Sequence, residues 1–213
     1  MKLKYAVAGA GAITLAFATP AMAAVIPSDV TVGTTSTAGS SNITAASQGS
    51  LSFAAEKTDG TFLTMGCSSA AVPTSPASKV YSGTGLTNIA AINAMNFSGC
   101  TGPGGTLTVT TSGSWKLQRT GGTATSALTN TIPGQVTGIT ANVGNLVCKF
   151  TVTGKAKGSF VEGTQVLKVN EPGTGLKVSN IQGCGGQLKT GGKAKFTGSF
   201  KVKSPKGAIN VVK

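Results

Sequence analysis

The four cysteines are the residues whose type and spacing most clearly indicate a chemistry. They lie 33, 48 and 36 positions apart, and no two of them form a Cys-x-x-Cys pair: Cys67, Cys100, Cys148 and Cys184. Because the chain has no histidine, a zinc site would need four scattered thiolates, which is not the spacing of structural zinc sites. An even number of cysteines in an exported chain instead predicts two disulfides. We therefore expect no metal and no cofactor.

The other residue types give little support for catalysis. Without histidine, a Ser-His-Asp triad is excluded. A glycosidase needs two facing carboxyl groups, and the acids that lie close in sequence, Glu56 and Asp59, are expected to point in different directions from one strand. Ser-Lys chemistry is compatible with the composition, but no recognisable motif marks it. The sequence predicts a protein that is not an enzyme and has no catalytic residues.

Basic residues are concentrated in the second half of the chain. From Lys149 onward there are twelve lysines and two glutamates, a net charge of +10. A one-sided field of this kind attracts anionic polymers and surfaces, although lysines also keep strands soluble and protect sheet edges. Nucleic acid is the less favoured partner, since only Arg119 of the mature chain offers a planar guanidinium and aromatic residues are few.

The segment from Lys193 to Lys203 alternates strictly between apolar or small residues and polar ones. This period of two predicts a β-strand with one inward and one outward face. The outward face carries four lysines: Lys193, Lys195, Lys201 and Lys203. We expect this row to bind an anionic surface, with cell-wall polymer, lipid headgroups and extracellular matrix as the candidate partners.

The first 23 residues have the pattern of a signal peptide. Lys2 and Lys4 precede an apolar run from Tyr5 to Phe17, and Ala21-Met22-Ala23 gives the small-x-small cleavage pattern. The run is shorter than the about 20 apolar residues that cross a bilayer. The sequence predicts cleavage after Ala23, no transmembrane span, and a location outside the cytoplasm, either secreted or at the cell surface.

Composition predicts the fold class of the mature chain. Only 11% of residues are charged, 31 are Gly and 39% are hydrophobic, which favours many thin strands joined by tight turns over disorder. Residues 51–213 are predicted to form an all-β domain, an antiparallel β-sandwich or barrel. Residues 24–50, rich in Ser, Thr and Gly, are interpreted as an edge strand followed by a loose connector or a tether. The only stretch compatible with a short helix is Asn88–Met95, where alanines weaken the strand pattern.

Further strands are predicted from short alternating runs. In Cys148–Val152, the residues Cys148, Phe150 and Val152 share one face, so this sulfur is expected to face the core. The segment Pro172–Gly175 lies between two of the strands that are predicted separately. The remaining predicted strands are Leu51–Ala55, Thr61–Met65, Gln135–Thr140, Gln165–Asn170, Leu176–Ile181 and Ala208–Val212.

Short motifs recur in the same order at a distance of about 85 residues. Gly83-Thr84-Gly85-Leu86 recurs as Gly173-Thr174-Gly175-Leu176, and Gly113-Ser114-Trp115-Lys116-Leu117 is matched by Gly198-Ser199-Phe200-Lys201-Val202. The recurrence predicts an internal duplication.

The duplication divides the β domain into halves at about 51–134 and 135–213. By that symmetry each half holds its own disulfide, Cys67–Cys100 and Cys148–Cys184. The same symmetry places the aromatic residues Trp115 and Phe200 at equivalent inward positions.

A family resemblance rests on the run Phe97-Ser98-Gly99-Cys100-Thr101-Gly102-Pro103 and on the strand and Gly-Ser-Trp-Lys-Leu motif that follow it. It resembles a group of uncharacterised exported bacterial proteins, found mainly in actinobacteria, that share a cysteine–strand–tryptophan pattern. More loosely, the size, signal peptide and Thr/Gly-rich strands are similar to the exported protein activator of alkane oxidation family. That second resemblance implies surface behaviour and hydrophobic substrates, and no functional residue is carried over from either.

Two functions are expected from these features. The first is a structural or adhesive protein of the cell envelope or extracellular matrix that holds anionic surfaces through its basic C-terminal half. The alternative is a secreted carrier or accessory protein for a hydrophobic ligand such as a lipid or an alkane. A secreted inhibitor is a third possibility, for which no reactive loop can be identified, and no residue pattern indicates an oligomeric state.

Overall fold

The computed structural model describes residues 24–212, so the predicted signal peptide (1–23) lies outside the described residues. The described chain is almost entirely antiparallel β, which confirms the predicted fold class. One 3-10 turn, Cys184–Gly186, precedes the last two strands. The strands are β1 Ser28–Val32, β2 Gly39–Ser47, β3 Leu51–Glu56, β4 Phe62–Val72, β5 Ser78–Leu86, β6 Ala90–Ile92, β7 Asn96–Gly102, β8 Gly105–Thr111, β9 Trp115–Arg119, β10 Thr131–Gly144, β11 Cys148–Val161, β12 Val166–Gly183, β13 Lys193–Lys203 and β14 Ile209–Val212.

The strand pairings close the sheet on itself twice, because β10, β11, β12 and β13 are long enough to take part in two rings. Ring A runs through the first half of β10, the second half of β11, the first half of β12 and the end of β13, and is completed by β2, β5, β6 and β9. Ring B uses the opposite halves of the same four strands and is completed by β3, β4, β7 and β8. Each ring therefore has eight strands, and the two are stacked end to end.

A belt of bulges lies where the long strands pass from one ring to the other. The register shifts between Val136 and Ile139 in β10, between Gly154 and Gly158 in β11, and between Glu171 and Leu176 in β12. Gly138, Gly154 and Gly173 have positive φ angles of 71°, 132° and 106° in this belt. Such φ values favour glycine, and the extra residues let each strand bend between the rings.

Three local predictions are wrong, each for a physical reason. Residues 39–47 are not a loose connector, because β2 pairs with β4, β5 and β13. Asn88–Met95 contains the short strand β6 rather than a helix, because β5 and β9 both pair with it. The two strands expected around Pro172–Gly175 are one strand, β12, since the segment is absorbed as a bulge.

The structure confirms both disulfides but not the internal duplication. Cys67 is bonded to Cys100, and Cys148 is bonded to Cys184. The segments that follow the second cysteine of each pair differ, however. Gly105–Thr111 is a strand paired on both edges, whereas Cys184–Gly186 is a 3-10 turn and Leu188 forms only an isolated bridge to Lys57.

Apolar side chains fill the interior of both rings. Trp115 and Phe200 are buried as predicted, and so are the inward residues Cys148, Phe150 and Val152. Two apolar cavities remain, cavity A of about 70 Å³ in ring A and cavity B of about 80 Å³ in ring B. The residues that line both cavities form the partition between them: Ile92, Met95, Val136, Leu167 and Phe200.

The bulge belt gives a prediction for Gly154→Ala. A Cβ at this position would lie 2.1 Å from the carbonyl oxygen of Gly175, a backbone atom that cannot rotate away. Gly191 is the matched control, because its φ of 73° is also positive but a Cβ there meets nothing within 4 Å. We expect G191A to cost about 1–2 kcal/mol of unfolding free energy and G154A at least about 3 kcal/mol, measured by urea denaturation. Equal costs would contradict the tight approach of β11 and β12.

The partition gives a second prediction. Phe200 is 2% exposed and separates cavity A from cavity B, so Phe200→Ala removes packing from both rings. We expect a loss of about 3–5 kcal/mol in unfolding free energy. Phe62→Ala is the control, since Phe62 is only half-buried on the outside of β4 and its loss should cost less than half as much. Similar melting of F200A and wild type would show that the strand faces are assigned incorrectly.

Candidate functional site

The four lysines predicted as an outward row lie on β13, which has the predicted bounds Lys193–Lys203. Lys193, Lys195 and Lys203 are exposed and Lys201 is half-buried, and Thr197 and Ser199 lie between them on the same outward face. The ammonium of Lys195 lies 3.8 Å from the ring centroid of Phe62, and Lys201 Nζ donates to the carbonyl oxygen of Thr164 at 2.5 Å. At about 3.3 Å per residue the row is roughly 33 Å long.

The neighbouring strands extend this row into a surface. β12 pairs with β13, and β11 pairs with the other edge of β12. The outward positions of both strands also carry lysines. We call the whole set the lysine face: Lys149, Lys155 and Lys157 on β11, Lys168 and Lys177 on β12, and Lys193, Lys195, Lys201 and Lys203 on β13.

Two lysines of this face lie directly opposite each other. Lys177 is the cross-strand partner of Lys193, and Thr153 of β11 is the next residue in the same row. Like charges at opposite positions destabilise a strand pair by a few tenths of a kcal/mol or more. The fold therefore concentrates positive charge here at some cost to its own stability.

Both acids of the second half are turned away from this surface. Glu162 and Glu171 are each 1% exposed. Glu162 accepts hydrogen bonds from Val211 N at 2.5 Å and from Asn130 Nδ2 at 2.7 Å, which ties the last strand to the β11–β12 hairpin. Both carboxylates are buried and accept hydrogen bonds within the protein, so they do not balance the charge of the outward lysines.

Glu171 binds the backbone of the bulge that follows it. Its Oε1 accepts from the N–H groups of Gly173, Thr174 and Gly175 at 2.9, 2.5 and 2.9 Å, and Oε2 accepts from Lys157 N at 3.2 Å. Burial by itself raises the pKa of this carboxyl, but these backbone donors outweigh it and hold the pKa below its ordinary value. The carboxylate thus replaces the hydrogen bonds that the bulge removes from the ladder.

One partly buried acid lies at the edge of the lysine face. Glu56 accepts from Lys193 N at 2.7 Å, and its Oε1 lies 3.4 Å from Lys189 Nζ. The backbone N–H of Lys193, together with the nearby Lys189 charge, holds the pKa of Glu56 below its ordinary value. Within residues 24–212, the ammonium groups of Lys193, Lys195 and Lys203 form no ion pair with a carboxylate.

A polar groove adjoins the lysine face on the outer side of ring B, and its volume is about 580 Å³. Hydroxyl and amide groups line it, and several already bond to each other: Thr151 Oγ1 lies 2.9 Å from Asn142 Oδ1 and 3.3 Å from Asn180 Nδ2. Lys149 contributes a cation, and the fully exposed Leu146 contributes one apolar side chain. The remaining polar lining residues are Thr106, Thr108, Thr110, Asn145 and Gln182.

Sequence reasoning missed the groove and the position of Arg119. The groove depends on which strands pair, which alternation alone does not determine. Arg119 is 4% exposed and lies inside ring A, so its guanidinium is not available on the outer surface. The sequence did contain a signal for this inward position. Trp115 and Leu117 point inward on β9, and Arg119 has the same parity on that strand.

Comparison with protein-family models, with curated proteins and with solved structures finds no match. Residues 24–212 contain no group of three or more His, Cys, Asp and Glu residues that could hold a metal ion. No helix in this part of the chain is long and apolar enough to cross a membrane.

The environment of Glu171 predicts a pH dependence of stability. Because its pKa is lower in the folded protein than in the unfolded chain, it stabilises the fold above the unfolded value of about 4.3, and this stabilisation is lost as the pH falls through the folded pKa. We expect Glu171→Gln to lower the unfolding free energy at pH 7 by about 1–3 kcal/mol, because an amide is a weaker acceptor. The difference from wild type should shrink as the pH is lowered below about 4.3. A difference that is constant between pH 7 and pH 2, measured by denaturant titration, would contradict the assignment.

Proposed function

We propose that this protein is exported by its N-terminal 23 residues and serves as a structural or adhesive protein of the cell envelope or extracellular matrix. The lysine face binds an anionic polymer or surface there. The observation that carries the proposal is the separation of charge in β11, β12 and β13, where the lysines point outward and both glutamates are buried.

This separation distinguishes binding from mere solubility. A strand that needs a polar outer face only for solubility can carry both positive and negative side chains. Mixed signs also avoid repulsion between neighbouring charges. Here Lys177 and Lys193 are placed opposite each other, and Glu56 bonds the backbone N–H of Lys193 rather than its ammonium. A bound polyanion would relieve that repulsion and gain several weak contacts at once.

The polar groove favours a polymer that contains sugars. Its hydroxyl and amide groups match the hydroxyl groups of a saccharide, and it is open to solvent along its length, so it admits an extended chain. Leu146 at its border offers a contact for the C–H face of a sugar ring. Because Lys149 belongs to both the groove and the lysine face, one acidic polysaccharide chain would contact both.

The alternative function, a carrier for a lipid or an alkane, is supported by the apolar lining of cavities A and B. Their volumes, about 70 and 80 Å³, are well below those of typical ligand sites. A long acyl chain would require both rings to expand, at the expense of the packing around Phe200. The lysine face is therefore the better supported site.

The proposal predicts the behaviour of the variant Lys193→Gln, Lys195→Gln, Lys201→Gln and Lys203→Gln. Glutamine keeps the length and polarity of these side chains and removes four charges. Near an anionic surface each lysine contributes about 1 kcal/mol, so retention on isolated cell envelopes and on polygalacturonate beads should fall at least tenfold at low salt. Wild-type retention should itself fall as the ionic strength is raised from about 0.01 M to about 1 M, where the Debye length shrinks from ~30 to ~3 Å.

The control variant removes four charges from positions off the lysine face: Lys57, Lys79, Lys116 and Lys206, each changed to Gln. It has the same net charge as the test variant, so a general charge effect would lower both equally. We expect the control to retain most of its binding. Equal losses in the two variants, or wild-type retention by the test variant, would reject the lysine face as the binding surface.

A further inference from the structure

The turn between β10 and β11 places two large apolar side chains in solvent. Leu146 is 100% exposed and Val147 is 60% exposed, whereas the other exposed large hydrophobic residues of the described chain, Leu128 and Val25, are 42% and 36% exposed. Hairpin turns are ordinarily built from Gly, Asn, Asp or Ser. Single exposed apolar residues are common, but adjacent ones that project together mark a contact site.

Hydrogen bonds and a disulfide hold this turn, which we call the hairpin tip (residues 145–148), in one position. Asn145 N donates to Cys148 O at 2.8 Å, and Asn145 Oδ1 accepts from Val147 N and Cys148 N, both at 3.0 Å. Cys184 N donates to Val147 O at 2.9 Å beside the Cys148–Cys184 disulfide. Val147 also packs against Gly104, where a Cβ would lie 2.6 Å from Val147 Cγ2. The apolar side chains are therefore presented to a partner without the entropic cost of ordering a loop.

The segments that contact the hairpin tip contain no acid. Asn145 Nδ2 donates to Pro103 O at 3.3 Å in the turn between β7 and β8, and the other contact is with the segment around Cys184. Neither residues 101–106, nor residues 180–188, nor the tip itself contains Asp or Glu. No negative charge in these segments repels an anionic partner.

The free charge nearest to the hairpin tip is positive. The turn between β3 and β4 is hydrogen-bonded to the segment after the Cys148–Cys184 disulfide, and its acids are already paired: Asp59 with Lys57 at 3.0 Å, and Glu56 with Lys189 at 3.4 Å. Lys149 directly follows the tip at an outward position of β11, and no carboxylate of residues 24–212 forms an ion pair with it. The lysine face begins at Lys149, so the apolar tip and the positive surface are continuous.

The small size of the apolar tip distinguishes between possible partners. A stable protein–protein interface buries about 1,200–2,000 Å² around an apolar centre. Two apolar side chains beside a groove lined by hydroxyl and amide groups do not provide such a centre. A lipid bilayer needs no complementary pocket, because its acyl region accepts apolar side chains while its headgroups meet cations and polar groups. A hairpin tip followed by lysines therefore fits an anionic lipid surface.

We propose that the hairpin tip inserts Leu146 and Val147 into the surface of an anionic lipid bilayer. An amphipathic element enters the boundary between headgroups and acyl chains to a depth of about 5–10 Å. Lys149 is three residues from Leu146, so at about 3.3 Å per residue it lies roughly 10 Å back along the strand, at the level of the lipid phosphates. Charge is needed in addition to insertion, because even a myristoyl chain, which has more carbons than these two side chains, gives only marginal binding by itself.

This inference goes beyond the proposed binding of an anionic polymer, because the partner has an apolar phase. Leu146 also borders the polar groove, but Val147 is not one of the residues that line the groove. Val147→Ser therefore separates the two sites. We expect this variant to bind lipid vesicles more weakly and to keep its retention on polygalacturonate.

The test is cosedimentation of the disulfide-bonded mature chain with vesicles of equimolar phosphatidylglycerol and phosphatidylcholine, and with vesicles of phosphatidylcholine alone. Wild type should bind the mixed vesicles at least about tenfold more tightly, because each lysine near an anionic leaflet contributes roughly fivefold. The double variant Leu146→Ser, Val147→Ser should bind the mixed vesicles at least about tenfold more weakly than wild type, since each buried CH₂ is worth about fourfold.

The matched control is the double variant Leu128→Ser, Val25→Ser. It makes the same two chemical changes at exposed positions outside the hairpin tip. Its net charge and lysine face are those of wild type, as they are in the test variant. We expect the control to bind the mixed vesicles like wild type.

A second measurement reports insertion directly. Leu146→Trp adds an indole at the hairpin tip, and the native Trp115 is buried, so its emission serves as a constant background. On binding to the mixed vesicles, the added indole should shift its emission to shorter wavelength and should be quenched by lipids that are brominated on the acyl chains. Leu128→Trp is the control and should show neither change.

Four results would overturn the inference. Equal binding of the tip double variant and wild type to the mixed vesicles would reject insertion, as would an equal loss in the control. Equal binding of wild type to vesicles with and without phosphatidylglycerol would reject the role of the lysines. Absence of quenching in Leu146→Trp would place the tip outside the acyl region. Absence of vesicle binding by wild type would exclude the lipid surface, while retention on polygalacturonate decides the proposed function separately.

Discussion

The fold depends on the transition of three strands, β10, β11 and β12, from one closed ring to the other. Of the four strands shared by the two rings, only β13 keeps an unbroken alternation of faces, whereas β10, β11 and β12 change register where they pass from one ring to the other. The bulge belt provides the bend, and each bulge removes hydrogen bonds from the ladder. Glu171 restores several of these bonds with a single carboxylate, which is why an acid is buried in a chain that has few acids.

The same arrangement determines the surface charge. The buried Glu171 carboxylate stays ionised because it accepts backbone N–H groups of the bulge. Its charge is therefore balanced inside the protein and is hidden from solvent. Glu162 is used in a similar way at the end of ring A. The two acids that could have neutralised the lysines of β11, β12 and β13 therefore hold the strands together instead. Positive charge accumulates on the outer side as a consequence of how the inner side is stabilised.

Alternation predicted the elements whose two faces differ strongly in polarity. The bounds of β13 and the inward face of Cys148–Val152 are confirmed because lysine or threonine alternates there with large apolar residues. The strand at residues 39–47 was not predicted, because its inward positions are Ser41, Ile43 and Ala45 and only Ile43 is strongly apolar. The break expected at Pro172–Gly175 did not occur, because a side chain supplied the missing acceptors. Such compensation comes from tertiary contacts and has no local pattern.

The candidate site was predictable only in part. The row on β13 follows from the sequence, whereas the extension onto β11 and β12 and the groove beside it depend on which strands pair with which. The interior position of Arg119 was not predicted, although Arg119 has the same parity as Trp115 on β9. The cavities could not be predicted from local patterns, because cavities arise where side chains from many strands fail to fill a volume.

One consequence concerns the order of events during folding. β1 pairs with β14, so Asp29 lies opposite Val212 and Val32 lies opposite Ile209. These partners are about 180 residues apart, and contacts of such separation form late because closing a long loop is entropically costly. The N-terminal strand must therefore wait, unpaired on that edge, until the last strand has been synthesised.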